Sequence, residues 1–222
     1  MAAGFAKTLT TYADWALPLG ALLNSFNQCH ADPTDGFCLV PLTQSNFKLQ
    51  KPYDTPFEQS YLYENGVHKL WVYADDKPHD PNSHTQPRIE IRIQCLDYSS
   101  EVWQFEGYGF VSNGTSGATI AQIHGAAHGA ATFILRIYDG DMRYYSRDLV
   151  ATSMYDKWFR LNVIHDVDGG TVTVYINGVQ KYSTNDKGPG SGMYFKCGVY
   201  ATLANISFYM ESMWRDIKIH KN

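Results

Sequence analysis

The chain has 222 residues, of which 44% are hydrophobic and 14% aromatic, and its formal net charge is −4. This length and apolar content suffice for one domain with a sizeable core, and the lack of any Lys/Arg block argues against nucleic acid or an anionic membrane as a partner. No stretch approaches the roughly 20 apolar residues of a membrane-spanning helix, and we expect a monomer.

Residues 1–31 are predicted to be an N-terminal extension that precedes a single domain over residues 32–222. The short apolar run at 16–23 resembles a degenerate signal segment, although Asp14 interrupts it and only Lys7 precedes it. Two glycosylation sequons begin at Asn113 and Asn205 and favour a secretory route to a wall, vacuole or extracellular space.

The four cysteines are sparse for a chain of this length. A bridge between Cys29 and Cys38 is the most plausible disulfide in an oxidising compartment. Strand alternation predicts that Cys95 and Cys197 point into the core as buried thiols.

Strands are predicted from about residue 60 to the C-terminus. Three Asn-Gly or Asp-Gly pairs mark hairpins, because these residues tolerate the positive φ that tight two-residue turns need. Further strands are predicted where apolar and polar residues alternate. The hairpins join 61–63 to 67–73, 131–138 to 142–145 and 171–176 to 179–182, and the other strands cover 158–165 and 210–219. The pattern indicates an all-β fold, an antiparallel β-sandwich or jelly roll.

Three more stretches carry ionisable or amide side chains at alternate positions, which places those side chains on one face of a sheet. Such a face can bind a carboxylate, neutralise its negative charge and remove the proton from the adjacent carbon. The stretches are 88–92, 122–124 and 194–200, and the shared face would hold Arg88, Glu90, Arg92, Gln122, His124, Lys196 and Tyr200.

Two connections are candidates for segments that cover a binding site. One runs from Asp75 to Pro87, directly before the Arg88 strand, and the other from Ser183 to Gly192, directly before the Tyr194 strand. For the first, a solvated connector is an equal alternative.

These three blocks, Arg88-x-Glu90-x-Arg92, Gln122-Ile-His124 and Tyr194-Phe-Lys-x-Gly-x-Tyr200, resemble in the same order the signature blocks of the alginate lyases of polysaccharide lyase family 7. The sequence between these blocks is similar to that of the citrate-binding proteins, a plant branch of that superfamily. The resemblance covers nearly everything after residue 31. It implies a jelly roll whose concave sheet forms the active groove.

The resemblance also implies roles for single residues. Arg88 and Gln122 would bind and neutralise a uronate carboxylate, and His124 and Tyr200 would transfer protons. The family's last block usually continues with Asn-Gln, where this chain has Ala201-Thr202. That difference would change which sugar fits, or exclude a sugar polymer.

The residue types suit β-elimination without a cofactor. A bidentate guanidinium and an amide stabilise the enolate-like charge that develops, and a neutral imidazole with an ordinary pKa of roughly 6.5 can act as base. Lys196 and Arg92 would favour the phenolate of Tyr200, which then acts as acid alone or as both acid and base. Arg92 and Lys196 are candidate substrate-binding residues, and Glu90 is expected mainly to support them.

Two alternatives remain. A catalytic metal is disfavoured, because the spacing of His124 and His128 suits a helix and not a strand. A non-catalytic protein that binds citrate or another small polycarboxylate would need Arg88 but neither His124 nor Tyr200. We therefore expect a metal-free lyase acting on an anionic carbohydrate or a carboxylated metabolite, with citrate binding as the alternative.

Overall fold

The computed structural model describes Met1 and residues 31–127, 130–203 and 206–222. Residues Ala31–Asn222 form one compact unit. Apart from Met1 and Ala31, the predicted extension over residues 1–31 lies outside the described residues, and so does Cys29 of the predicted disulfide.

The described part of the chain folds almost wholly into strands. Helix is restricted there to single 3-10 turns such as Gln44–Asn46 and Phe57–Gln59. The strands in chain order are β1 (Cys38–Val40), β2 (Phe47–Gln50), β3 (Tyr61–Glu64), β4 (Val67–Tyr73), β5 (Arg88–Ile93), β6 (Val102–Val111), β7 (Ala118–His124), β8 (Ala131–Tyr138), β9 (Asp141–Tyr144), β10 (Asp148–Ala151), β11 (Phe159–Asp166), β12 (Thr171–Ile176), β13 (Val179–Asn185), β14 (Tyr194–Ala201) and β15 (Tyr209–Lys221).

These strands form two antiparallel sheets. The first, here called the back sheet, has the order β13-β12-β11-β6-β15-β4-β3, and β1 also pairs with β15. The second, here called the groove sheet, has the order β10-β9-β8-β7-β14-β5-β2. The prediction of an all-β antiparallel sandwich is confirmed.

The core lies between the sheets and consists of the apolar side chains of alternate strand positions. Trp214 of the back sheet is fully buried, and its ring contacts Phe105 and Phe159 edge-on at centroid distances of 5.8 and 6.3 Å. Phe133 and Ile91 fill the core from the groove sheet. Burial of a side chain of this size contributes about 1.5–3 kcal/mol, so the core holds both sheets in place.

The three predicted hairpins are present, and their turns have the expected backbone. In the first, Asn65 and Gly66 have φ values of 51° and 79°. Both central residues of a type I′ turn need positive φ, which explains why the Asn-Gly and Asp-Gly pairs identify these hairpins.

Four strands carry too weak a pattern to be predicted. β1, β2 and β10 have only three or four residues, which is too short for a period-2 signal. β6 is long but is buried at four consecutive positions, Gln104–Gly107, so polar and apolar residues do not alternate there.

Two local predictions are wrong. Cys95 is exposed, because β5 ends at Ile93 and Cys95 follows with a left-handed φ of 65°, so strand alternation no longer applies to it. The predicted connection from Ser183 is shorter than expected, since β13 continues to Asn185. The other predicted connection, from Asp75 to Pro87, is a loop without any strand.

Candidate active site

Strands β5, β14 and β7 lie side by side and turn their polar residues away from the core. Ile89, Phe195 and Ile123 belong to the core, and the alternate positions lie on the other face of the groove sheet. All seven predicted site residues share that face: Arg88, Glu90, Arg92, Gln122, His124, Lys196 and Tyr200.

The strand register orders these residues along β14. His124 lies opposite Tyr194, and both Gln122 and Arg92 flank Lys196. At the other end Arg88 lies opposite Tyr200. The face therefore has an imidazole end, a central set of charged groups and a phenol end.

Glu90 is the centre of this face. Its carboxylate is 3.4 Å from Nη1 of Arg88 and 3.3 Å from Nζ of Lys196, and it accepts a hydrogen bond from Nε2 of Gln122. Glu90, Lys196 and Gln122 are each at most 3% exposed. Burial lowers the pKa of Lys196, while the charge of Glu90 opposes that shift. The carboxylate thus compensates cations that would otherwise be buried alone.

Gly198 makes room for this cluster, because it lies opposite Glu90 in the register. Its φ is 143°, and a Cβ there would lie 2.4 Å from the carbonyl oxygen of Ile89 and 2.8 Å from Cα of Glu90. The pairing of β14 with β7 also shifts register between Cys197 and Tyr200. Only glycine allows β5 and β14 to approach this closely.

Each arginine of β5 stacks on a tyrosine of β14. The guanidinium carbon of Arg88 is 3.8 Å from the ring centroid of Tyr200, and that of Arg92 is 3.8 Å from the ring centroid of Tyr194. Arg92 also pairs with Asp97 at 2.6 Å. The cation next to the Tyr200 ring is therefore Arg88, and Arg92 lies at the imidazole end.

His124 is half-buried and stacks on Tyr194 with a centroid distance of 5.3 Å. Its Nδ1 atom is buried and has no hydrogen-bond partner within the described residues. Burial lowers the pKa of His124, and the charges of Lys196 and Arg88 lower it further against the opposing charge of Glu90. The ring is therefore neutral near pH 7 and can accept a proton.

His79 is a further residue near the site that the sequence pattern does not predict. This residue belongs to the loop before β5, whose carbonyls of Pro78 and Pro87 accept hydrogen bonds from the backbone of Tyr53 and Ala201. Burial lowers the pKa of His79, as do the charges of Arg88 and Lys196. The loop thus brings a second imidazole close to the charged groups of the site. The sequence feature that could have indicated this is the position of the loop directly before the Arg88 strand.

A groove of about 1050 Å³ continues from the phenol end. Tyr200 and Thr202 line it, together with Arg136 and Arg143 of strands β8 and β9. The two residues that differ from the usual family motif, Ala201 and Thr202, both line the groove, so the difference lies in its wall.

The remaining predictions concern metal, thiols and secretion. Within residues 31–127, 130–203 and 206–222 no three His, Cys, Asp or Glu side chains are arranged to hold a metal ion, and His128 lies outside these ranges. Within the described part of the chain Cys38 has no disulfide partner and is exposed, and burial raises the pKa of Cys197. Asn113 is exposed and Asn205 lies outside the described residues, so the secretory route stays a prediction. Among the described residues no helix is long and apolar enough to cross a membrane.

Comparison with known proteins gives one family match. The model of the alginate lyase family matches residues 40–221. A citrate-binding protein from Hevea brasiliensis is 53% identical over 206 residues, which cover 93% of this chain and 86% of that protein.

Solved structures with the same fold include alginate lyases of low sequence identity. The enzyme from Corynebacterium sp. is 18% identical with a TM-score of 0.61, and the match covers 82% of this chain and 92% of that one. A family 7 alginate lyase in complex with product is 17% identical with a TM-score of 0.63, covering 80% and 96% of the two chains. At these identities the likeness concerns the fold alone.

Proposed function

Because this chain belongs to the alginate lyase family, we propose that it is a lyase that carries out β-elimination next to a carboxylate, on a uronic-acid polysaccharide or a carboxylated metabolite. The observation that carries the proposal is the single sheet face shared by Arg88, Gln122, His124 and Tyr200. Retention of the imidazole and the phenol beside the carboxylate-binding groups favours turnover, since holding an anion requires neither.

In the proposed mechanism the substrate carboxylate binds at the centre of the face. Arg88 and Lys196 each contact Glu90 with one nitrogen, so their other N–H groups remain for a ligand. Gln122 likewise retains one amide N–H beside its bond to Glu90. These donors stabilise the enolate-like charge that forms when the proton leaves the adjacent carbon.

We assign the proton transfers to His124 as base and Tyr200 as acid. The neutral imidazole takes the proton from the carbon next to the carboxylate, and the phenol protonates the departing glycosidic oxygen. The alternative is that Tyr200 serves as both base and acid, which applies when the proton and the leaving group are on the same side of the sugar ring. Arg88 contacts the Tyr200 ring and therefore links carboxylate binding to the acid.

The proposal is tested by ultraviolet absorbance of the unsaturated uronate during incubation with alginate, glucuronan and related polymers. We expect slow product formation with at least one polyuronate and a loss of at least about 100-fold in His124→Ala and in Tyr200→Phe. Tyr108→Phe is a matched control, because Tyr108 also lies beneath an arginine, Arg215 at 5.0 Å, but on the back sheet.

The second candidate is a binding protein for citrate or a related polycarboxylate. It is favoured by the 53% identical relative that carries the name citrate-binding protein, and by the loss of the usual Asn-Gln after Tyr200. Absence of product from every polymer, together with calorimetric citrate binding that Arg88→Ala abolishes, would establish this candidate instead.

A further inference from the structure

Five residues of adjacent strands form one row across the groove sheet. Arg88 of β5 lies opposite Tyr200 of β14, which lies opposite Thr119 of β7. Thr119 in turn lies opposite Arg136 of β8, and Arg136 opposite Arg143 of β9. The row therefore has a guanidinium on either side of Tyr200.

Arg136 has no carboxylate partner within the described residues. Its Nε donates to Oγ1 of Thr119 at 3.3 Å, which directs the side chain along the row, and its guanidinium carbon lies 5.5 Å from the Tyr145 ring centroid. Arg143 differs, because it pairs with Asp141 at 2.8 Å and donates to the carbonyl of Arg147.

Arg136 and Tyr200 line the same groove of about 1050 Å³. The acids that also line it are Asp141, which Arg143 neutralises, and Asp139 in the β8–β9 turn. The backbone N–H of Asp139 donates to Oγ of Ser116. The unpaired charge of Arg136 therefore faces a space that is large enough for a sugar residue.

We propose that Arg136 forms a second carboxylate subsite, which binds a neighbouring uronate of the same oligosaccharide while Arg88 binds the first. This inference rests on the proposed function and specifies its ligand as an oligouronate that lies across the strands with Tyr200 between the two carboxylates. Three interstrand spacings separate the backbones of Arg88 and Arg136, about 14 Å, and the two side chains lean towards each other, Arg88 onto the Tyr200 ring and Arg136 towards Thr119. A uronate monomer carries a single carboxylate and cannot bind at both arginines.

The test is calorimetric titration of uronate monomers and of uronate tetramers from alginate and glucuronan, in a His124→Ala background that limits turnover. Arg136→Gln is expected to weaken tetramer binding about tenfold, the loss of one charge-assisted hydrogen bond, and to change monomer binding less than twofold. Arg136→Lys keeps the charge and is expected to retain part of the tetramer affinity.

Arg147→Gln is the matched control, because it removes an exposed positive charge near the groove that does not line it. It is expected to leave tetramer binding within twofold. Unchanged tetramer binding in Arg136→Gln, or an equal loss for monomer and tetramer, would overturn the subsite and leave the lyase proposal standing. Failure of the unsubstituted protein to bind or cleave any oligouronate would overturn both.

Discussion

Glu90 sets the charge that the groove sheet offers to an anion. It faces Arg88 and Lys196, and Asp97 pairs with Arg92, so this part of the face has three cations against two carboxylates. The surplus of positive charge is small but lies where a ligand carboxylate would bind. The sequence predicts that Glu90 mainly supports its neighbours, and in the structure Glu90 contacts Arg88, Lys196 and Gln122.

Replacing Glu90 with Gln is predicted to destabilise the protein by about 3–5 kcal/mol, because two buried cations lose their compensating charge. The measurement is the free energy of unfolding in urea. Glu58→Gln is the control, since Glu58 is exposed and is expected to change stability by less than about 0.5 kcal/mol. A loss below about 1 kcal/mol in Glu90→Gln would show that the cluster does not depend on this carboxylate.

The pKa of His124 predicts the pH dependence of turnover. Burial and the nearby cations lower it below the ordinary value of 6.5. The imidazole must be neutral to act as a base. As the pH is lowered, kcat/KM should therefore stay constant down to pH 6.5 and decline only when the pH falls through the lowered pKa of His124.

The pH profile of kcat/KM on a soluble polyuronate measures this decline. His79→Gln separates the two imidazoles, because the pKa of His79 is also lowered. The acid limb should persist in that variant. An acid limb at or above pH 6.5 would contradict the assignment of His124 as base.

At the scale of the strands, pairing of β5 with β14 holds the site together. Gly198 lies opposite Glu90, and a Cβ there would collide with the backbone of β5. Gly66 offers a comparison, since its φ of 79° is also positive but its Cβ position is open.

Gly198→Ala is predicted to cost about 3 kcal/mol or more, from steric strain plus displacement of β5, while Gly66→Ala is predicted to cost about 1 kcal/mol from its φ alone. Thermal unfolding of both variants gives the comparison. Equal losses of stability in the two variants would mean that the close approach of β5 and β14 does not add to the cost of Gly198→Ala.

Alternation and turn residues were sufficient to predict the hairpins and the strands of the site. They could not predict β1, β2 and β10, which are too short for a periodic signal, or β6, which is buried on both faces. They misplaced Cys95 because nothing in the local sequence marks the end of β5 before it.

Three features of the site depend on contacts between distant residues. The pairing of Arg88 with the Tyr200 ring depends on the register between β5 and β14. The approach of His79 depends on how a long loop folds back, and the row that includes Arg136 depends on strand order. Period-2 alternation assigns a residue to a face but not to a neighbour on that face.

For the whole molecule, the family resemblance seen in three short motifs is confirmed by a match that spans residues 40–221. The chain combines the fold of the alginate lyases with 53% identity to a protein named for citrate binding. The central claim is that the groove sheet breaks a bond in a uronate and does not merely hold a carboxylate.

The most direct measurement is proton NMR of polyuronates incubated with the unsubstituted protein. Elimination creates a carbon–carbon double bond at the new non-reducing end, so the account predicts an olefinic proton resonance that grows with time and is missing with Tyr200→Phe. A spectrum without olefinic signal for any polyuronate, from protein that still binds citrate through Arg88, would contradict it.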